Sequence, residues 1–402
     1  GLGDVYKRQI ISIALVIVMM ASILAPVSAE LSDSQYGDLT YVLINEDAEI
    51  EITKYTGNER NVVIPDTIDG KPVTGIGERA FVSCTGLRSV TMPDSITVIG
   101  SSAFLNCYSL ASINLPSGLV TIGDDAFHDC IALDSVTIPD GVTTIGIQAF
   151  IGCVYLTSVE IPESVTSIGS GAFSGCTALK SIVVPEGVTA IGGKTFFNCA
   201  SLTSIIIPDS VTTIDTSAFE GCTALRSLTI GSGVTSLSYN MFADCSSLTE
   251  INIDEENENY KSVDGVLYDK DLTTLIMCPA AKAGTVTIPD GVATIGSYAF
   301  RGCSALTAIE IPNSVTSIRI QAFSGCTALT SLIIPNSVTD LGSAIFYGCS
   351  ALKSVTIGSG VVPEIFRGVT IYISSSCFSG CSSLTEINVD KANPAYSSVN
   401  GI

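Results

Sequence analysis

Apolar residues fall into a pattern that returns every 23 positions, and a clean copy runs from Ile161 to Val183, IPESVTSIGSGAFSGCTALKSIV. After the Leu of each copy the chain reads L-x-x-[VIL]-x-[VILM], as in Leu87-Val90-Met92, Leu156-Val159-Ile161 and Leu306-Ile309-Ile311. The last two apolar positions are two apart, which is strand spacing. Pro follows in most copies (Pro93, Pro116, Pro139, Pro312) and has no ladder donor, so it is predicted to end the strand. A second short apolar pair follows, Val165 and Ile168 in V-T-S-I-G, and then x-A-F-x-G-C, which the spacing predicts as a single helical turn. In eleven of twelve copies the residue before Cys is Gly, Asn or Asp, types that tolerate a left-handed backbone, so each turn is expected to close there with positive φ.

The register is carried by cysteine. Cys84, Cys107, Cys130, Cys153, Cys176, Cys199, Cys222 and Cys245 are 23 apart; the series resumes at Cys303, Cys326 and Cys349 and closes at Cys381. Each has Phe three residues before it and Leu three after. Phe81 and Leu87 flank Cys84, Phe104 and Leu110 flank Cys107, Phe173 and Leu179 flank Cys176, and Phe323 and Leu329 flank Cys326. These residues are expected to form the structural ladder. One such repeat buries too little apolar surface to fold alone, and stacking supplies the rest. The fold class expected is therefore a β-rich solenoid, a right-handed coil of parallel strands and short helical turns. About fourteen turns at about 4.8 Å each would make a rod or arc roughly 65 to 70 Å long.

The run L-x-x-[VI]-x-[IV]-P, V-T-x-I-G, A-F-x-G-C resembles the BspA-like leucine-rich repeat of bacterial surface proteins, and the twelve copies extend the resemblance over nearly all of the chain after residue 29. The resemblance implies a strand-lined solenoid, a terminal cap over its open end, and adhesion, including to extracellular-matrix proteins.

Taken in order, residues 1–29 read as a leader. Gly1 to Gln9 resembles a translated sequencing-adapter remnant; Ile10 to Leu24 is an apolar run before Val27-Ser28-Ala29, a secretory pattern too short to be read as a membrane span. Residues 30–75 are expected to form a cap hairpin, with Tyr41–Ile44 and Ile50–Thr53 as strands and Val62–Pro65 as a first degenerate rung. Residues 76–253 are the first repeat block. Residues 254–290 form an excursion, with a hairpin near Tyr260 to Tyr268, and degenerate rungs at Leu272-Leu275-Met277 and Val286-Ile288. Residues 291–389 are the second block, with a nine-residue excess between Cys349 and Cys381. Residues 390–402 begin the excursion again, since EINVDKANPAYSSVNGI parallels EINIDEENENYKSVDGV, and we read the chain as cut in mid-repeat.

Charge narrows the partners. Without residues 1–29 the chain keeps 16 basic and 38 acidic residues, a net charge of −22. That argues against nucleic acid and anionic membrane. The fourteen cysteines suggest disulfides at first sight. Equivalent Cβ atoms on neighbouring rungs would lie about 4.8 Å apart on parallel vectors, beyond the roughly 3.5 to 4.5 Å of a disulfide, so a ladder of buried thiols is expected. Cys278 and Cys377 stand out of that register, and their redox state stays open. No cofactor, metal site or catalytic residue is expected. His128 is the lone histidine and sits at a variable position, and Asp254–Asn259 lacks the spacing and turn glycine of an EF-hand.

Binding is then left to the strand surface. Seven after Cys, the candidate positions are Glu160, Val183, Ile206, Thr229, Asn252, Glu310 and Ile333, with Val183 and Ile206 on neighbouring rungs. The function expected is non-enzymatic, secreted or cell-surface protein–protein adhesion, with a matrix glycoprotein or another surface protein as partner and glycan as a further ligand class. The alternative is a non-catalytic scaffold or binding module of a larger secreted, polysaccharide-active protein.

Overall fold

The computed structural model describes residues 33–238, 240–366, 369–371 and 375–398; the leader predicted within 1–29 and the last four residues of the chain lie outside them. The protein is a parallel β-solenoid of about thirteen turns, one fewer than the sequence suggests. The strands that follow each Leu stack into a front sheet, in which Ser204, Ser227 and Glu250 lie side by side. The V-T-x-I segments stack into a flank sheet, where Val98–Ile99, Thr121–Ile122, Thr144–Ile145 and Ser167–Ile168 pair with the same 23-residue step.

The third side departs from the expected helical turn. It is a run of overlapping β-turns: Ala103 N–H donates to Gly100 O at 3.3 Å, Leu105 to Ser102 at 3.1 Å and Cys107 to Phe104 at 3.1 Å. The residue before Cys has positive φ in all twelve copies, as the sequence predicts, and so does the residue five before Cys in eleven of them; in the turn that ends at Cys107 these are Asn106 and Ser102. A left-handed residue at the third position of a turn is the type II requirement, and two in six residues cannot be continued as a helix. The turns also bond forward, Phe104 N–H to Ala126 O and Asn106 N–H to His128 O, each at 2.8 Å. This third ladder claims the N–H groups that a helix would turn inward. Only Ser375–Phe378 forms a 3-10 helix among the described residues.

Close stacking leaves no room for a side chain where the flank strand leaves the sheet. A Cβ on Gly146 would lie 2.4 Å from the carbonyl carbon of Gly123 on the rung below. Inside, the Phe rings form a column from Tyr55 through Phe81, Phe104 and Phe173 to Phe242, with centroids 5.0 to 5.9 Å apart. A second column runs from Phe300 through Phe323 to Phe378 at 5.5 to 5.7 Å. The leucines of the expected ladder turn inward as well, because one more β-turn follows each thiol. Leu110 N–H donates to Cys107 O at 3.0 Å, Leu179 to Cys176 at 3.1 Å and Leu329 to Cys326 at 3.2 Å. Leu87, Leu110, Leu179 and Leu329 are all buried in the core, where they lead into the front strands.

Between the columns the chain rebuilds its beginning. At the start, Ser34–Tyr36, Leu39–Ile44 and Glu49–Tyr55 form an antiparallel meander, and the third strand then pairs in parallel with the flank strand Lys71–Ile76. After Ile253 the same order returns: Tyr260–Val263, Val266–Asp269 and Thr274–Met277 form an antiparallel meander whose third strand pairs in parallel with Thr294–Ile295. Leu275 therefore belongs to the flank sheet, opposite Ile295, and not to a degenerate front rung. Tyr55 and Cys278, each at the end of its third strand, both donate their N–H to the alanine carbonyl of the next turn, Ala80 and Ala299, at 2.7 Å. Cys278 thus stands where other turns carry Phe, and the ring column has a gap there. The core divides at the same place, with Leu267 in the first cluster and Val266 and Tyr268 in the second. The nine-residue excess of the second block forms an antiparallel pair, Glu364–Phe366 with Val369–Ile371, and the Phe346–Phe378 stack continues past it at 5.6 Å.

Candidate binding surface

The groups with reactive chemistry are spent on structure. All fourteen cysteines are free thiols; Cys84 and Cys381 are half-buried and the rest are buried, Cys278 and Cys377 included. Ten of the twelve ladder thiols have a partner that the sequence does not reveal, the Phe carbonyl of the previous turn, while Cys303 faces Cys278 O and Pro279 O at 3.6 and 3.5 Å instead. Cys107 Sγ donates to Phe81 O at 3.1 Å, Cys176 to Phe150 and Cys199 to Phe173 at 3.2 Å, and Cys326 to Phe300 at 3.2 Å. Burial pushes the Cys107 and Cys199 thiols up to about 12, which removes the thiolate that nucleophilic or redox work requires.

His128 is part-buried on the turn side, with Nδ1 2.8 Å from Asp125 Oδ1 and Nε2 3.8 Å from Asp129 Oδ2. In the acidic loop, Asp254 Oδ1 accepts from Glu256 N–H at 2.9 Å. Asn257 is fully buried: its Nδ2 donates to Gly231 O and Val234 O at 3.0 and 3.1 Å, while its Oδ1 accepts from Asn259 and Tyr260 N–H. Asn393 makes the same four bonds, to Gly358, Val361, Ala395 and Tyr396, at the end of the second block. The common spacing D-x-x-N-x-x-Y, at Asp254 to Tyr260 and Asp390 to Tyr396, is the signal that could have exposed this plug. Among the described residues, no group of three or more His, Cys, Asp or Glu side chains is placed to hold a metal ion.

The outer face of the front sheet is built by strand alternation. Val184, Ile205 and Ile207 point inward and are buried, so Val183 and Ile206 face solvent, 71% and 70% exposed. Ile333 is 67% exposed in the second block. Glu160, Asn252 and Glu310 are exposed in the same column, and Thr229 is half-buried. The structure therefore sets the candidates along the outward column of the front strands, Glu160, Val183, Ile206, Thr229 and Asn252 in the first block and Glu310 and Ile333 in the second. They do not converge on a pocket. Glu160 Oε2 accepts from Thr137 Oγ1 at 3.3 Å, and Glu310 Oε2 from Thr287 Oγ1 at 2.7 Å. At the junction of the two columns a groove of about 440 Å³ opens on the flank side, lined in part by Leu237, Met241, Ile276, Met277 and Ile320. Sequence reasoning missed this groove, because it arises from the replacement of a turn by the second meander.

A family model described as a BspA type leucine rich repeat region matches residues 54–177, 143–263 and 280–398. No curated protein matches the chain. The crystal structure of a leucine rich cell surface protein from Faecalibacterium prausnitzii A2-165 is 33% identical, covers 92% of this chain and 98% of its own, and superposes with a TM-score of 0.65. A leucine-rich repeat protein from Bacteroides ovatus is 26% identical over 89% of this chain and 95% of its own, with a TM-score of 0.56. The pneumococcal vaccine antigen PcpA, at 22% identity and a TM-score of 0.50 over 90% of this chain and 89% of its own, shares the fold. Among the described residues no helix is long and apolar enough to cross a membrane. The 23-residue rung, the phenylalanine and thiol columns and the matched segments together place the chain in the BspA-type leucine-rich repeat family.

Proposed function

We propose that the chain is a secreted or cell-surface protein that binds other proteins, and that it mediates adhesion to host matrix or neighbouring cells through the outer face of its front sheet. The observation that carries this reading is that Val183 and Ile206, equivalent residues of consecutive rungs, both face outward at 71% and 70% exposure. Exposed apolar side chains gathered on one face mark partner surfaces more often than scattered ones do. The resemblance to a cell-surface protein of F. prausnitzii supports the location, and the acidic surface favours protein over nucleic acid. The thiols and the histidine are occupied structurally, so the reading is non-enzymatic.

The test is surface binding of residues 30–402 to immobilised matrix glycoproteins and to a glycan panel, at low and physiological salt. Saturable protein binding that weakens when Val183 and Ile206 are both replaced by Ser supports adhesion through this face. Binding to glycans alone, or to neither panel, overturns it in favour of a scaffold module.

A further inference from the structure

The two repeat blocks carry the same surface. Read down the outward column of the front sheet, the first unit presents Thr137, Glu160, Val183, Ile206, Thr229 and Asn252; the second presents Thr287, Glu310, Ile333, Thr356 and Asn388. The first unit's column also holds Val63, Thr91 and Asn114 ahead of Thr137; with these three rungs and the Val183 rung set aside, the two lines are identical. The likeness extends to conformation: Thr137 bonds Glu160 as Thr287 bonds Glu310, Ile206 and Ile333 are 70% and 67% exposed, and Thr229 and Thr356 are both half-buried. The neighbouring column ends alike, on exposed Glu250 and Glu386. The corner just past the strands has not kept its chemistry, since Glu163 and Asp209 of the first unit correspond to Asn313 and Asn336 of the second. The meander separates the two lines: Gly265 O, at its first turn, accepts from Ile251 N–H at 3.0 Å at the end of the first front sheet.

We infer that the chain carries two equivalent docking faces, centred on Ile206 and Ile333, and that each takes an extended protein segment presenting an apolar side chain between basic ones. This rests on the protein-binding reading above and names the partner's chemistry and number. Charge complementarity argues for the occupant. Each face sets two exposed carboxylates around its isoleucine, Glu160 with Glu250 against the two bases Lys180 and Arg226, and Glu310 with Glu386 against the one base Lys353. None of these side chains makes an ion pair among the described residues, where Arg319 with Asp340 is the one pair that does not involve His128. An apolar side chain seated on the isoleucine, with ammonium groups reaching both carboxylates, would cover the apolar patch and neutralise the flanks together. With the meander turn between them the faces lie about six strand spacings apart, roughly 29 Å, so one partner with repeated segments can engage both and gain by avidity.

The probe is a blocked peptide, Lys-Thr-Ile-Thr-Lys, titrated calorimetrically into the chain from Glu30 onward at low ionic strength, with Glu-Thr-Ile-Thr-Glu as the charge-inverted control. Two sites per chain are expected, with affinities within about tenfold of one another and no binding of the control. Ile206→Asp and Ile333→Asp should each remove one site, and the double variant both; the two side-chain changes face solvent and should leave thermal unfolding in place. Glu160→Gln with Glu310→Gln should weaken both sites several-fold at low salt. A single site, two sites indifferent to these substitutions, or no peptide binding overturns the inference. A chain that binds a matrix glycoprotein but only one peptide sinks the duplication alone, whereas failure on the glycoprotein panel sinks the adhesion reading.

Discussion

The Cys176 thiol donates to the Phe150 carbonyl oxygen at 3.2 Å, joining one turn to the turn before it. The bond explains why cysteine suits the position. A buried alanine would leave a cavity, and a bulkier residue would press on the ring column. The thiol fills a small apolar volume and gives a carbonyl facing the core a weak donor.

Because the thiols are neutral and buried, their titration is tied to unfolding. Burial holds Cys107 and Cys199 at about 12 against an ordinary value of 9.0. A thiol raised on folding contributes stability that is fully present below its unfolded pKa and is lost as pH rises through the folded one. Between pH 9 and 12 each such thiol should withdraw about 1.4 kcal/mol per pH unit. Urea unfolding under reducing conditions should therefore show a midpoint that is flat from pH 7 to 8.5 and falls steeply above pH 9. A midpoint unchanged up to pH 11 would contradict the buried ladder. In the native protein only the half-buried Cys84 and Cys381 should react quickly with a thiol reagent, against fourteen after denaturation without reductant.

Phe173 lies in mid-column, 5.6 Å from the Phe150 ring and 5.9 Å from Phe196. Phe173→Ala should cost about 3 to 5 kcal/mol, because a rigid stack cannot close over the cavity. Val183→Ser, on the outer face, should stay within about 0.5 kcal/mol. Chemical denaturation of both variants checks the pair, and a loss below about 1 kcal/mol for Phe173→Ala would place that ring outside the core.

Asn257 makes four hydrogen bonds from a fully buried amide. Asn257→Asp keeps the shape and exchanges the donor that serves Gly231 and Val234 for a second acceptor. The expected cost is about 3 kcal/mol or more at pH 7. Lowering the pH towards 4 should recover part of it, since the protonated acid can donate to one of the two carbonyls. Equal stability of Asn257→Asp and the parent at pH 7 would show that the amide is not a plug.

Much of this is legible from period alone. The 23-residue spacing of Phe, Cys and Leu predicts the solenoid, the inward ring and thiol columns, the buried Leu110, Leu179 and Leu329 beside them, and the outward Val183 and Ile206. A strict repeat obliges equivalent residues to occupy equivalent places. The turn side is harder to read, because A-F-x-G-C has a helical look when its N–H groups are counted within one copy; in the molecule they bond to the next copy, which a single repeat cannot reveal. Leu275 is misleading for a related reason. Leu272-Leu275-Met277 matches the front-strand template, but the meander before it, which reproduces the strand order of Ser34 to Tyr55, delivers it to the flank sheet. The thiol-to-carbonyl bonds leave no trace in the spacing. The repeated surface does leave one: the likeness between 250–266 and 386–402 continues upstream through Ile206 and Ile333.

The first unit has four rungs that the second lacks, those of Val63, Thr91, Asn114 and Val183, and this shows how the length of such a rod varies. Removing or adding 23 residues returns every Phe, Cys and Leu to its column, whereas a deletion of any other size would turn a whole end of the rod out of phase, unless a surplus loops out as the Glu364–Ile371 pair does. Length is therefore quantised. Its small quantum is the rung, which lengthens a face; its large quantum is the unit, which begins with a meander, ends on an asparagine plug, and adds a face with both of its ends already sealed.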